Sequence, residues 1–336
     1  MIYQLSNVNE IKELNKLKNI KVIYYLHSCF FYWLYLNDFS SLISVYKELQ
    51  KSKYVITLVP FENNYLFKKW GINSILMSNY ISYDYDFVIP SNLSTNTILM
   101  IGRGNDKLKR FELGIISMKY IINHIPDCEM KIIANVNYVG NLINITKNLT
   151  LQKYVKFVGY TSDPEIYFKN ASIHIFPTVS ESFGYVLSET KIYGIPNILL
   201  GLDYTSISKG GTIIIYDESP KTIGIEVIKI LKNNKYKKKL GREARKSMKK
   251  INNELLYIRW IKLILSIFNG YNYNEEIKKL DKKLSIKENL NTLKTQVNFL
   301  KIRNTKFKNI SCEIIGNFSF LEKYLREEFL LKKSIK

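Results

Sequence analysis

Apolar residues along this chain follow two patterns. Short runs rich in Ile, Val and Tyr recur between longer stretches in which apolar positions return every three or four residues. The first pattern marks buried strands and the second amphipathic helices. "NIKVIYYLHS" (Asn19–Ser28) predicts a buried strand. "SSLISVYKELQKS" predicts a helix, "KYVITLVP" a strand, "FENNYLFKKWGI" a helix closing on Gly71, and "NSILMSNYIS" a third strand. Strand, helix, strand, helix, strand is the signature of a parallel sheet. "VIPSNLSTNT" (Val88–Thr97) is polar and contains Pro and Ser, and reads as a linker.

A second alternation follows. "TILMIGR", "EMKIIANV", "YVKFVGY", "SIHIFPT", "IPNILLG" and "TIIIYD" predict strands. "FELGIISMKYIINHI" and "DPEIYFKNA" predict helices between them, and Pro220–Ile251 a pair of helices. "ELLYIRWIKLILSIFNG" predicts a strongly apolar helix, and the Lys-, Asn- and Leu-rich remainder from about residue 271 a helical tail. The expected class is α/β with two Rossmann-like domains. The boundaries expected are 1–92, 93–252, and 253–336 for the last helix with its basic tail.

Composition narrows the partners. Of 336 residues, 50 are Lys or Arg and 29 Asp or Glu, a formal net charge of +21. Such an excess favours phosphates, nucleic acid or an anionic membrane face, unless it reflects a compositional bias in Lys, Asn, Ile and Tyr. No RNA-recognition or helix-turn-helix signature accompanies it, so nucleic acid is not the expected partner. Cys29, Cys128 and Cys312 are scattered without metal spacing and read as reduced thiols of an intracellular protein. His27, His124 and His174 form no zinc motif. The apolar stretch Val22–Leu36 falls short of the ~20 residues that span a bilayer, and predicts a strand running into a helix.

In open α/β sheets, ligands bind beyond the carboxyl ends of the strands. One strand ends in Gly102-Arg103, with Lys109-Arg110 opening the next helix. Arginine can fork two phosphate oxygens and lysine adds a compact charge, which suits a diphosphate as well as a plain solvated loop. Lys107 stands at the third glycine position of a dinucleotide fingerprint, and no phosphate-loop G-K-[ST] occurs. A second strand runs into "SESFGYVLSETKIYGIP" (Ser180–Pro196). Ser182, Phe183 and Gly184 fall at the start of the predicted helix, where free N–H groups attract an anion. Glu181 precedes it and Glu189 lies within it. Carboxylates so placed suit paired sugar hydroxyls, or equally complement a helix dipole.

The ordered set "IGRGNDKLKRFELGI", "VKFVGYTSD", "IHIFPTVSESFGYVLSETKIYGIP" with its E-x7-E spacing, and "KKLGREARK" resembles the family 4 retaining glycosyltransferases of the GT-B fold. The resemblance covers roughly residues 97–250. It implies transfer of a sugar from a nucleotide diphosphate sugar to an unidentified glycan, lipid or protein glycan. Arg103 and Lys109, one residue further apart than usual, would hold the diphosphate beside Gly102. Glu181, with Ser182, Phe183, Gly184, Tyr185 and Val186, would meet the donor sugar. Glu189 would accept from the ribose, and Gly159 and Tyr160 would lie beside the base. No cofactor and no metal are implied, and the family's metal-independent chemistry is expected here.

In the first region "KVIYYLHS" resembles the strand that ends in the family's active-site histidine, here His27. Only about 20 residues precede it, so the first domain is expected to be shortened. That leaves a non-catalytic or partner-dependent nucleotide-sugar-binding protein as the alternative. Leu255–Phe268 fits the family's helix that crosses back to the first domain, with a membrane surface as its competing use. The expected location is cytoplasmic, soluble or peripheral at an anionic membrane.

Overall fold

The computed structural model describes residues 2–4, 8–18, 20–36, 38–249, 251 and 253–269. All lie within a compact unit spanning Met1–Asp281. The expected helical tail and Cys312 fall outside the described residues.

The chain begins with β1 (Ile2–Gln4), α1 (Val8–Asn15), β2 (Ile23–Leu26), α2 (Phe30–Leu36), α3 (Phe39–Leu49), β3 (Tyr54–Thr57), α4 (Pro60–Trp70) and β4 (Ile75–Leu76). These four strands form a parallel sheet in the order β1-β2-β3-β4. Val22–Leu36 is therefore a strand running into a helix, as its length required. The punctuation of α4 is local: Pro60 opens it with its φ preset, and Gly71 closes it in the left-handed region (φ 64°). The third predicted strand shrinks to two residues, because the chain leaves the sheet at Met77.

The second part contains β5 (Thr97–Ile101), α5 (Phe111–Ile121), β6 (Glu129–Ile133), α6 (Gly140–Asn148), β7 (Val155–Phe157), α7 (Glu165–Lys169), β8 (Ile173–Phe176), α8 (Tyr185–Ile192), β9 (Asn197–Leu200), β10 (Thr212–Ile215), α9 (Pro220–Lys232) and α10 (Asn234–Met248). Its six parallel strands run in the order β10-β9-β8-β5-β6-β7. The order reverses between β5 and β8, so a crevice opens beyond their carboxyl ends. Every residue of β8 and β9 is buried, including the polar pair His174 and Asn197, which satisfy each other at 2.7 Å between Nδ1 and Oδ1.

The segment Val88–Thr97 is not a loose linker. Ser91 N–H donates to Tyr193 O at 2.8 Å, Ser91 Oγ to Ala171 O at 2.7 Å, and Leu93 is 6% exposed. Arg245 of α10 clasps the approach to it. Its guanidinium donates to the carbonyls of Tyr85, Val88 and Ile192 and sits 4.5 Å from the Tyr85 ring centroid.

The final described helix, α11 (Asn253–Asn269), returns to the first sheet. Leu256, Leu263 and Ile267 pack on Ile23, Ile56, Ile75 and Met77. Burying three such side chains is worth about 1.5–3 kcal/mol each. Burial is one-sided, however: Tyr257, Ile258, Ile261 and Leu265 remain exposed. No described helix is long and apolar enough to cross a membrane.

Candidate active site

Beyond β5 the chain turns through Gly102 and Arg103 into a 3-10 turn, Lys107–Lys109, capped by the Asp106 carboxylate on Leu108 N–H. Beyond β8 it runs through Ser180–Gly184 into α8. The two loops are tied together, because Val179 N–H donates to Leu108 O at 3.0 Å. That tie places Lys109 Nζ 2.9 Å from Glu181 Oε2 and 5.3 Å from the Phe176 ring centroid. Both side chains are largely shielded, at 17% and 24% exposed. A cation and a carboxylate thus meet at the switch point of the sheet.

Gly184 makes the turn into α8 possible. Its φ is +88°, and a Cβ there would meet Glu181 Cγ at 3.3 Å. Ser182 and Phe183 are buried, Val186 is partly buried, and Tyr185 is 47% exposed with its ring against Phe183. Glu189, one turn further along α8, is partly buried, and desolvation lifts its carboxyl to about 7. Burial raises the phenol of Tyr83, which lies between β4 and β5, and the nearby Glu189 charge adds to it.

Arg103 differs from Lys109. It is 77% exposed and pairs with Asp106 at 2.7 Å rather than with the Glu181 carboxylate. Gly159 adopts φ +93° at the end of β7, beside Val136, and Tyr160 is 79% exposed at the rim. His27 ends β2 in the first sheet. Burial lowers its pKa, and its ring lies 4.4 Å from that of Tyr25.

The first sheet's loop does more than present His27. Ser182 Oγ donates to the His27 carbonyl, and Cys29 Sγ lies 3.7 Å from Glu181 O and 3.9 Å from Ser180 Oγ. Phe31 packs on Tyr204 at 4.1 Å between ring centroids. Tyr204 in turn accepts the Glu181 N–H at 3.2 Å. Its loop is secured by Lys191, buried in α8, which donates to Ile207 O and to Lys209 O (2.7 Å). Desolvation brings the Lys191 amine down to about 7. Sequence reasoning missed Cys29, Phe31, Lys191 and Tyr204 at this place; Lys191 sits inside the Ser180–Pro196 motif but its bonds reach Ile207 and Lys209, and the other three join segments far apart in the chain.

Among the described residues no cluster of three or more His, Cys, Asp or Glu side chains is spaced to hold a metal ion. The arrangement joins a screened cation and a carboxylate on adjoining strand ends, a glycine-opened helix start, and a second carboxylate on the same helix. It can seat an anion next to hydroxyl groups.

Residues 84–247 match the family described as glycosyl transferases group 1. An uncharacterized glycosyltransferase of Haemophilus influenzae is 26% identical over 151 residues, 42% of this chain. The match spans only 40% of that relative's own length. In fold the chain is similar to sucrose-phosphate synthase of Thermosynechococcus elongatus, with a TM-score of 0.66 and 18% identity over 80% of this chain and 74% of that one. It is also similar to Anabaena Alr3699/HepE in complex with UDP and glucose, with a TM-score of 0.65 and 11% identity over 79% of this chain and 77% of that one. At such identities these likenesses establish the fold, which is of GT-B type: two parallel-sheet lobes facing one crevice.

Proposed function

We propose that the protein, whose residues 84–247 match the group 1 glycosyl transferases, moves a sugar from a nucleoside diphosphate sugar to an acceptor, with retention at the anomeric carbon. The reading places it with the family 4 enzymes. The observation that carries it is the Lys109–Glu181 pair at the switch point, 2.9 Å apart and shielded from water. Lysine so placed offsets charge developing on a departing diphosphate, and Arg103 adds a second cation once it leaves Asp106. Glu181 and the Ser182–Gly184 backbone face the transferred sugar. Glu189 accepts from the ribose hydroxyls, and Gly159 and Tyr160 flank the base. His27, whose pKa burial lowers, lines the opposite wall of the crevice. Catalysis rests on positioning and electrostatics from these side chains, without a resident metal. The solved complex of a similar fold with UDP and glucose makes UDP the first nucleotide to try.

The test is a thermal-shift series against UDP, GDP, ADP and their glucose or mannose conjugates, because a ligand of the native state raises its melting temperature. One nucleotide and its conjugate should raise it, and Lys109→Ala should abolish the rise while remaining folded. A folded protein that no nucleotide shifts would sink the proposal.

A further inference from the structure

We infer that Tyr204, with the first lobe's loop His27–Phe31, is a positioning latch for Glu181. Contact between the two lobes thereby sets the grip on the donor's sugar rather than on its nucleotide. This rests on the donor-site reading above, and assigns Tyr204 and Phe31 a part in it that no sequence motif carries.

Three constraints converge on the Glu181 peptide. Its N–H donates to the Tyr204 phenol at 3.2 Å. Its carbonyl faces the Cys29 thiol at 3.7 Å. Its carboxylate is drawn the other way by Lys109 at 2.9 Å. The neighbouring Ser182 hydroxyl is tied to the His27 carbonyl. A backbone held at both its donor and its acceptor leaves the side chain little freedom of aim, which is how preorganised sites are built.

The holders are braced from behind. Tyr204 is 4% exposed and its ring lies against Phe31 at 4.1 Å. Ser208 Oγ donates to Thr205 O and Asp203 O, and Lys191 pins Ile207 and Lys209, so the loop carrying Tyr204 is fixed on the second lobe. In the first lobe, the Phe30 ring packs on Phe61 and Tyr65 at 5.8 and 5.0 Å between centroids, and Phe31 packs on Phe61 at 5.1 Å. That fixes the start of α2 and so the loop before it. Tyr204 thus sits where two independently braced loops meet, with its hydroxyl on the residue that reads the sugar.

The latch predicts a split between ligands. Tyr204→Phe keeps the ring on Phe31 and deletes only the oxygen that holds Glu181. Titration calorimetry would compare wild type and variant for UDP against UDP-glucose, with GDP against GDP-mannose and ADP against ADP-glucose in parallel. The sugar conjugate should bind the variant roughly tenfold more weakly, the worth of about one hydrogen bond, while the bare nucleotide binds as before. Phe31→Leu should give the same split and stands in if the first variant does not fold. Equal affinity of wild type and variants for the conjugate would overturn the latch. A parallel loss of nucleotide and conjugate would also overturn it, because it would make Tyr204 a general support. Wild type that binds none of the six probes would overturn the donor site, and the latch with it.

Discussion

Glu189 owes its unusual acidity to one cause, the desolvation of a carboxyl inside the crevice wall. Its pKa of about 7 has two consequences of opposite sign. The native state holds a proton that the unfolded chain has released, so the stability from this group is complete below about pH 4.5 and is lost as pH rises through 7. Accepting from ribose hydroxyls needs no proton on the carboxylate, so nucleotide binding should strengthen over the same rise. The affinity for whichever nucleotide the thermal-shift series picks out should increase several-fold between pH 6 and 8 in wild type, and Glu189→Gln should remove the part of that slope that phosphate ionisation does not supply. An unchanged slope in the variant would remove Glu189 from the binding step. At this scale the sequence was informative where chemistry is local. The spacing of Arg103, Lys109, Glu181 and Glu189 is written in two short stretches of sequence, each a strand end running into a helix. Tyr204 was illegible because its partners, Phe31 and Glu181, lie in other segments, and a lone tyrosine in a loop carries no periodicity or charge signal.

The elements were legible in proportion to the strength of their start and stop signals. The run TILMI and the Pro60-to-Gly71 helix appear where the pattern puts them. Helix α6 was not anticipated: its sequence GNLINITKN is rich in poor helix formers, and Val139 before it gives no side-chain cap. β1 and α1 also went unread, since three strand residues are too few to show alternation. The linker joins the two sheets, but it is packed rather than loose, because Ser91 bonds inward to Tyr193 and Ala171. The motif GREARK had no role assigned from sequence, and Arg245 now gives it one. Its guanidinium secures the crossing segment to the end of α8 through three carbonyls and the Tyr85 ring. Arg245→Ala should lower stability by about 3 kcal/mol, the upper end for one bond from a charged donor, because the group is only half-buried and water replaces part of the other two. Denaturant melts would read this as an earlier midpoint with an unchanged slope.

Among the described residues, two sheets and a returning helix build one crevice, and Cys29, Phe31, Ser182 and Tyr204 touch across it. Cys29 is one of them. It is buried, and the apolar surroundings raise its thiol to about 11, so in the closed arrangement it is both hidden and protonated. A thiol in that position is a built-in timer. Reaction with a disulfide reagent such as dithionitrobenzoate requires the lobes to part, so its rate counts openings. Measured in a Cys128→Ser background, since Cys128 is buried as well, that rate should be slow in the free protein and slower still with a bound donor, and the slow phase should vanish when Cys29→Ser is added. Reaction of Cys29 at the rate of an exposed thiol, with or without ligand, would mean that the lobes stand apart in solution. The same sulfur that touches the Glu181 carbonyl can therefore clock how often the crevice admits and releases what it holds.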